Sequence, residues 1–139
     1  MVKNIVFDMG NVLVRYDSMK VCRHFMTDEA EMEKVCTSVF VSPECLITEA
    51  AALKRMQKRL PDDHAKEMAR LCLEHWNEYC MWKVPGMEEL VRELKAEGFG
   101  IYLCSNASLR MVTWYKNIIP AWECFDGILY SAEVKCMKP

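Results

Sequence analysis

The stretch NIVFDMGNVLVRYD, residues 4–17, decides the fold. Its apolar run Ile5-Val6-Phe7 is too short and too continuous for an amphipathic helix, and reads as a buried strand over residues 3–8. The run stops abruptly at Asp8, and Gly10 stands two residues on. An acid at the tip of an apolar strand either closes a turn or is there for chemistry. The remainder of the chain discriminates between the two.

Helical periodicity follows first. Met32, Val35, Cys36, Val39 and Phe40 mark one face of a helix over residues 28–40, which Ser42-Pro43 breaks. Thr48 caps a second helix carrying Leu53, Met56 and Leu60, stopped by Pro61. A third stripe, Ala65, Met68, Ala69, Cys72, Trp76 and Tyr79, runs through residues 62–80 and is expected to be core. The pattern then changes. PGMEELVRELKAEGFGIYLCSNAS, residues 85–108, reads as helix, turn and strand in succession. Met87, Leu90, Val91 and Leu94 form the predicted buried stripe, Glu88 and Glu89 suit the positive helix end, and Gly98 suits the stop. Ile101 to Cys104 read as a strand ending at Ser105-Asn106, residues 108–117 as a helix, and residues 127–131 as a third strand. Strands alternating with helices predict an α/β fold with a parallel sheet. The helical block over residues 17–83 predicts a cap inserted after the first strand, with residues 1–16 and 84–139 forming the core domain.

The bulk properties restrict the function classes. The chain has 139 residues, 52% apolar and 27% charged, with a net charge of −2. That is a globular composition without the basic patch that nucleic acid or an anionic membrane would require. No apolar run approaches the roughly 20 residues of a membrane span, and the start of the chain carries no signal-peptide pattern. The eight cysteines include no C-x-x-C pair, so they are expected to be reduced thiols in a cytoplasmic protein. Zinc held by Cys72, His75 and Cys80 is the sharper alternative, and it lacks a second ligand pair. Trp76, Tyr79 and Trp82 read as cap core rather than pocket lining, and His24, His64 and His75 as surface or packing residues.

In open parallel sheets, ligands bind beyond the carboxyl ends of the strands. The exits here are Asp8, Ser105-Asn106 and, after the third strand, SAEVKCMKP with Lys138. An acid, a hydroxyl with an amide, and an amine suit phosphoryl chemistry. The carboxylate attacks phosphorus to form an acyl-phosphate, and the others stabilise the phosphoryl oxygens. Each residue also has a plainer reading: Asp8 and Ser105 as caps, Lys138 as a solvated chain end.

IVFDMGNVLV, IYLCSN and SAEVKCMKP, in that order and with PGMEELVRELKAEGF before the second, resemble the motifs of the haloacid dehalogenase superfamily of hydrolases. The resemblance is to the branch with a helical cap after the first motif, and it covers nearly the whole chain. It implies a Rossmann-like parallel sheet. It also implies Asp8 as nucleophile, Ser105 and Asn106 on the phosphoryl group, and Lys138 as its charge partner. Mg²⁺ would be held by Asp8 and the backbone carbonyl of Gly10. The implied activity is a Mg²⁺-dependent phosphatase acting on a small phosphorylated metabolite. A halide-displacing hydrolase of small organic acids is an alternative, and a fragment or degenerate member without catalysis is another. Two departures stand out. Gly10 replaces the aspartate that usually protonates the leaving oxygen in family phosphatases. The fourth, acidic motif is absent, which predicts missing C-terminal strands, an incomplete metal site and the first strand left as an apolar edge. Asp17 and Asp126 are the acids available by sequence to stand in.

Overall fold

The computed structural model describes residues 1–39 and 48–139; Phe40, Ser42-Pro43 and Cys45 therefore lie outside the described residues. The chain divides into two units, residues 1–16 with 82–139, and residues 17–81. In the first, β1 (Asn4–Phe7), β4 (Gly100–Ser105) and β5 (Gly127–Tyr130) form a parallel sheet in the order β1-β4-β5. The register sets Phe7 beside Leu103 and Ser105 beside Tyr130, so the carboxyl ends of all three strands meet.

The helices α5 (Met87–Ala96) and α6 (Leu109–Ile118) connect and flank these strands. Gly86 opens α5 at φ 80° and Gly98 follows its end at φ 88°, left-handed values that a side chain would strain. Ile101, Leu103, Val91, Met111 and Ile118 are buried, each worth roughly 1.5–3 kcal/mol of apolar transfer. The predicted stripe on α5 is narrower than its periodicity implies: Val91 is fully buried, whereas Leu90 is exposed.

The opposite sheet face is open. Val6 is 63% exposed, and Tyr102 and Leu129 are also exposed, although parallel sheets usually cover both faces. Among the described residues β1 is an edge strand, as its sequence context predicted. The short pair β2 (Val14–Tyr16) and β3 (Met81–Lys83) forms a second sheet that the sequence reading missed. Three residues are too few to display a period of two.

The second unit holds α1 (Ser18–Phe25), α2 (Glu29–Val39), α3 (Glu49–Gln57) and α4 (Asp63–Tyr79). Asp17, Thr48 and Asp62 cap α1, α3 and α4 through their side-chain oxygens. Val21, Val35, Met56, Ala69 and the thiols of Cys22, Cys36 and Cys72 form the interior. The Cys22 and Cys72 sulfurs lie 3.9 Å apart. The adjacent Cys72 thiol, with burial, pushes the Cys22 thiol well up, and burial with the nearby Asp17 carboxylate pushes Cys80 up to about 12. These cysteines behave as small hydrophobes.

Tyr79 departs from the expected core stripe: it is exposed and stacks on His24 with ring centroids 3.8 Å apart. Asn77 is the reverse case, a polar residue only 4% exposed whose amide has no hydrogen-bond partner among the described residues. An unsatisfied buried amide costs about 1–3 kcal/mol. Asn77→Leu is therefore expected to raise the denaturation midpoint; an unchanged or lowered midpoint would mean that the amide is satisfied. No helix of the described residues is long and apolar enough to cross a membrane.

Candidate active site

Asp8 follows the last residue of β1, and the chain turns sharply beyond it. The Met9 carbonyl accepts from the amides of Val12, Leu13 and Val14 at 3.3, 3.0 and 3.0 Å, and the Asn11 amide donates to the Val14 carbonyl at 2.8 Å. Asn11 takes the left-handed conformation at φ 58°, which Asn tolerates better than most residues. Leu13 and Val14, both fully buried, anchor this turn to the core. Strand, acid and turn thus follow from the alternation of apolar and turn-forming residues in the opening stretch.

Lys138 reaches Asp8: its Nζ lies 2.7 Å from Asp8 Oδ1 and donates to the Cys104 carbonyl at 3.3 Å. The Met9 amide donates to the same carboxylate oxygen at 2.7 Å, so Asp8 caps its own turn as well as pairing with the lysine. Partial burial disfavours the charged carboxylate. Lys138, the Met9 amide and Ser105 together outweigh it and hold Asp8 below its ordinary pKa. Ser105, 4% exposed, ends β4 beside it. Asp8, Ser105 and Lys138 are thereby brought together, although the sequence separates them by most of the chain.

Asn106 is placed differently from a residue facing a ligand. Its Oδ1 accepts from the Lys138 amide at 2.9 Å, and its Nδ2 donates to the Lys138 carbonyl at 3.3 Å. Both ends of its amide are engaged in holding the backbone that carries the lysine. Ser131, which the sequence reading did not single out, makes a matching clasp: its hydroxyl accepts from the Ala107 amide at 3.1 Å and donates to the Ala107 carbonyl at 3.3 Å. A small hydroxyl residue just after a strand was the only available signal.

The two spare acids are used elsewhere. Asp17 accepts from the Met19 amide at 3.0 Å as the cap of α1. Asp126 accepts from the Ile101 amide at 2.9 Å and pairs with Lys95 at 2.5 Å, towards the amino end of β4. Among the described residues no group of three or more His, Cys, Asp or Glu side chains could hold a metal ion. For a hard cation beside Asp8 the candidate ligands are its own carboxylate and, two residues on, the Gly10 carbonyl, which accepts none of the turn's backbone hydrogen bonds among the described residues. One carboxylate and one carbonyl fit Mg²⁺ only when waters and a substrate phosphate fill the other positions, a common arrangement for this ion.

No family model matches the chain, and no curated protein matches it. Solved structures do match. A haloacid dehalogenase family enzyme from Bacteroides thetaiotaomicron, solved in complex with magnesium and inorganic phosphate, is 20% identical with a TM-score of 0.65. The match covers all of this chain and 73% of that one. The chain has the haloacid dehalogenase fold. The same fold likeness extends to a predicted phosphoglycolate phosphatase from Haemophilus somnus, 17% identical with a TM-score of 0.61, covering 99% of this chain and 66% of that one. It extends also to a dehalogenase, 18% identical with a TM-score of 0.65, covering 99% and 66%. A predicted phosphatase and a dehalogenase thus share the fold seen here, and the fold alone does not choose between the two reactions.

Proposed function

We propose that the chain carries the machinery of an aspartate-nucleophile phosphohydrolase acting on a small phosphate ester. The observation that carries this reading is the Asp8–Lys138 pair at 2.7 Å, where the strand ends meet and Ser105 is adjacent. Asp8, kept ionised by its neighbours, supplies the oxygen that attacks phosphorus as the ester P–O bond breaks. Lys138 offsets negative charge on the nucleophile and on the phosphoryl oxygens, and Ser105 donates to one of those oxygens. Asn106 acts as a positioning residue, fixing the Lys138 backbone. Gly10 has no proton to give, so the departing oxygen takes its proton from solvent. Water then attacks the aspartyl-phosphate, the P–O bond to Asp8 breaks, phosphate leaves and the carboxylate is restored. Mg²⁺ held by Asp8 and the Gly10 carbonyl would supply charge neutralisation of the phosphoryl group.

A second reading has its own support. With the Asp8 carboxylate and the Gly10 carbonyl as the metal's protein ligands among the described residues, the site suits phosphate binding without turnover. Nitrophenyl phosphate hydrolysis, measured with Mg²⁺ and with a chelator, tests the proposal, with halide release from a small haloacid run alongside. Metal-dependent phosphate release without halide release is the expected result. Phosphate binding without turnover by the folded chain would favour the second reading. Chelator-insensitive halide release would replace both with dehalogenation.

A further inference from the structure

A cleft of about 390 Å³ opens in the first unit between α6, a 3-10 turn at Trp122–Cys124, β5 and the short helix α7 (Ser131–Val134). Asp8, Ser105, Asn106 and Lys138 are not among its lining residues. Tyr115, Trp122, Phe125 and Tyr130 furnish aromatic walls, and Glu123 and Glu133 furnish the charges. The lining contains no lysine, arginine or histidine. The volume suits a small molecule, and the Glu133 carboxylate on its wall disfavours a phosphate or carboxylate ligand.

The two carboxylates differ. Glu123 is compensated by Arg92 at 2.6 Å. Glu133 accepts from the Tyr130 amide at 3.1 Å and has no ion pair among the described residues. The rings already attract an ammonium group: Lys116 Nζ, on an exposed side chain, lies 4.7 Å from the Trp122 ring centroid and 5.9 Å from that of Tyr115. Tyr115 and Trp122 meet edge to face with centroids 5.7 Å apart. Tyr130 is 1% exposed, and its hydroxyl has no hydrogen-bond partner among the described residues. Burial first, and then the charges of Glu133 and Tyr115, hold its pKa up, so it stays a neutral phenol.

We propose that this cleft binds an organic ammonium ion. The ion's apolar body lies against the aromatic walls, and its charge is attracted by the ring faces and Glu133. The inference is independent of the reaction at Asp8.

The test uses the full 139-residue chain. Choline and its neutral isostere, with carbon in place of the quaternary nitrogen, are titrated while the tryptophan indole N–H resonances are followed by NMR. Choline is expected to shift the Trp122 resonance saturably, and the isostere to bind about tenfold more weakly. Glu133→Gln retains an acceptor for the Tyr130 amide and lies on an exposed side chain, so the fold should be kept; it should weaken choline binding about tenfold. Lys116→Gln removes a competing cation and should strengthen it. Equal affinity for choline and the isostere, no shift at Trp122, or choline binding unaltered by Glu133→Gln would each overturn the proposal.

Discussion

Asp8→Asn is expected to reduce aryl-phosphate turnover by at least about 10³-fold, because an amide oxygen is a far poorer nucleophile than a carboxylate and removing a nucleophile of this kind costs orders of magnitude. Asn retains the shape of the side chain and an oxygen for the Met9 amide, which now donates to Asp8 at 2.7 Å. The loss would therefore be chemical, and a coincident denaturation profile would establish that the fold is kept. Turnover near the wild-type rate would remove Asp8 from the reaction altogether. The same carboxylate sets the acid limit. Its pKa lies below the ordinary value because Lys138, the Met9 amide and Ser105 outweigh partial burial. A depressed pKa keeps the anion present above the ordinary aspartate range and loses it only as pH falls through the lower folded value. The acid limb of kcat/KM should accordingly lie below the ordinary aspartate range where the fold survives. In Lys138→Met it should move upward.

Gly10→Asp is expected to raise alkyl-phosphate hydrolysis by about 10²–10⁴-fold while changing aryl-phosphate hydrolysis far less. A nitrophenolate leaves without a proton, whereas an alkoxide needs one, so a general acid matters only for the second. The wild-type chain should consequently favour aryl over alkyl esters. The backbone can accept the change: Gly10 is not in the left-handed region, and a Cβ built there meets nothing within 4 Å. Parallel gains on both ester classes would point to improved metal binding through the added carboxylate. Equal wild-type rates on both classes, with no selective gain in the variant, would mean that the proton comes from a group other than residue 10.

The strand exits were legible from sequence because each apolar run ends abruptly in a polar residue, and a parallel sheet necessarily gathers those ends at one edge. That Asp8, Ser105 and Lys138 come together was legible in this way. The contact that Asn106 makes was not, because the partner of a side-chain amide depends on a backbone more than thirty residues away, at Lys138. Periodicity likewise marked which side of α5 and α4 is apolar without showing how much of it another element covers, hence the exposed Leu90 and Tyr79. The availability of Asp17 and Asp126 as metal partners was also beyond the sequence. Both look like free acids in one dimension and are capping or pairing groups in three.

The register of the sheet bears on the order of assembly. β4 and β5 are joined through α6 and the 3-10 turn at Trp122–Cys124, whereas β1 must find β4 across the whole inserted unit, Asn4 pairing with Gly100. Closing the longer loop costs more entropy, and a strand held on one side only is the part of a sheet that opens most readily. Asp8 hangs on that strand, while Ser105 and Lys138 belong to the stretch from β4 to the chain end. Local opening that releases β1 would therefore part Asp8 from Lys138 while leaving β4 and β5 paired, so the pairing of the two is tied to one of the sheet's two edge strands.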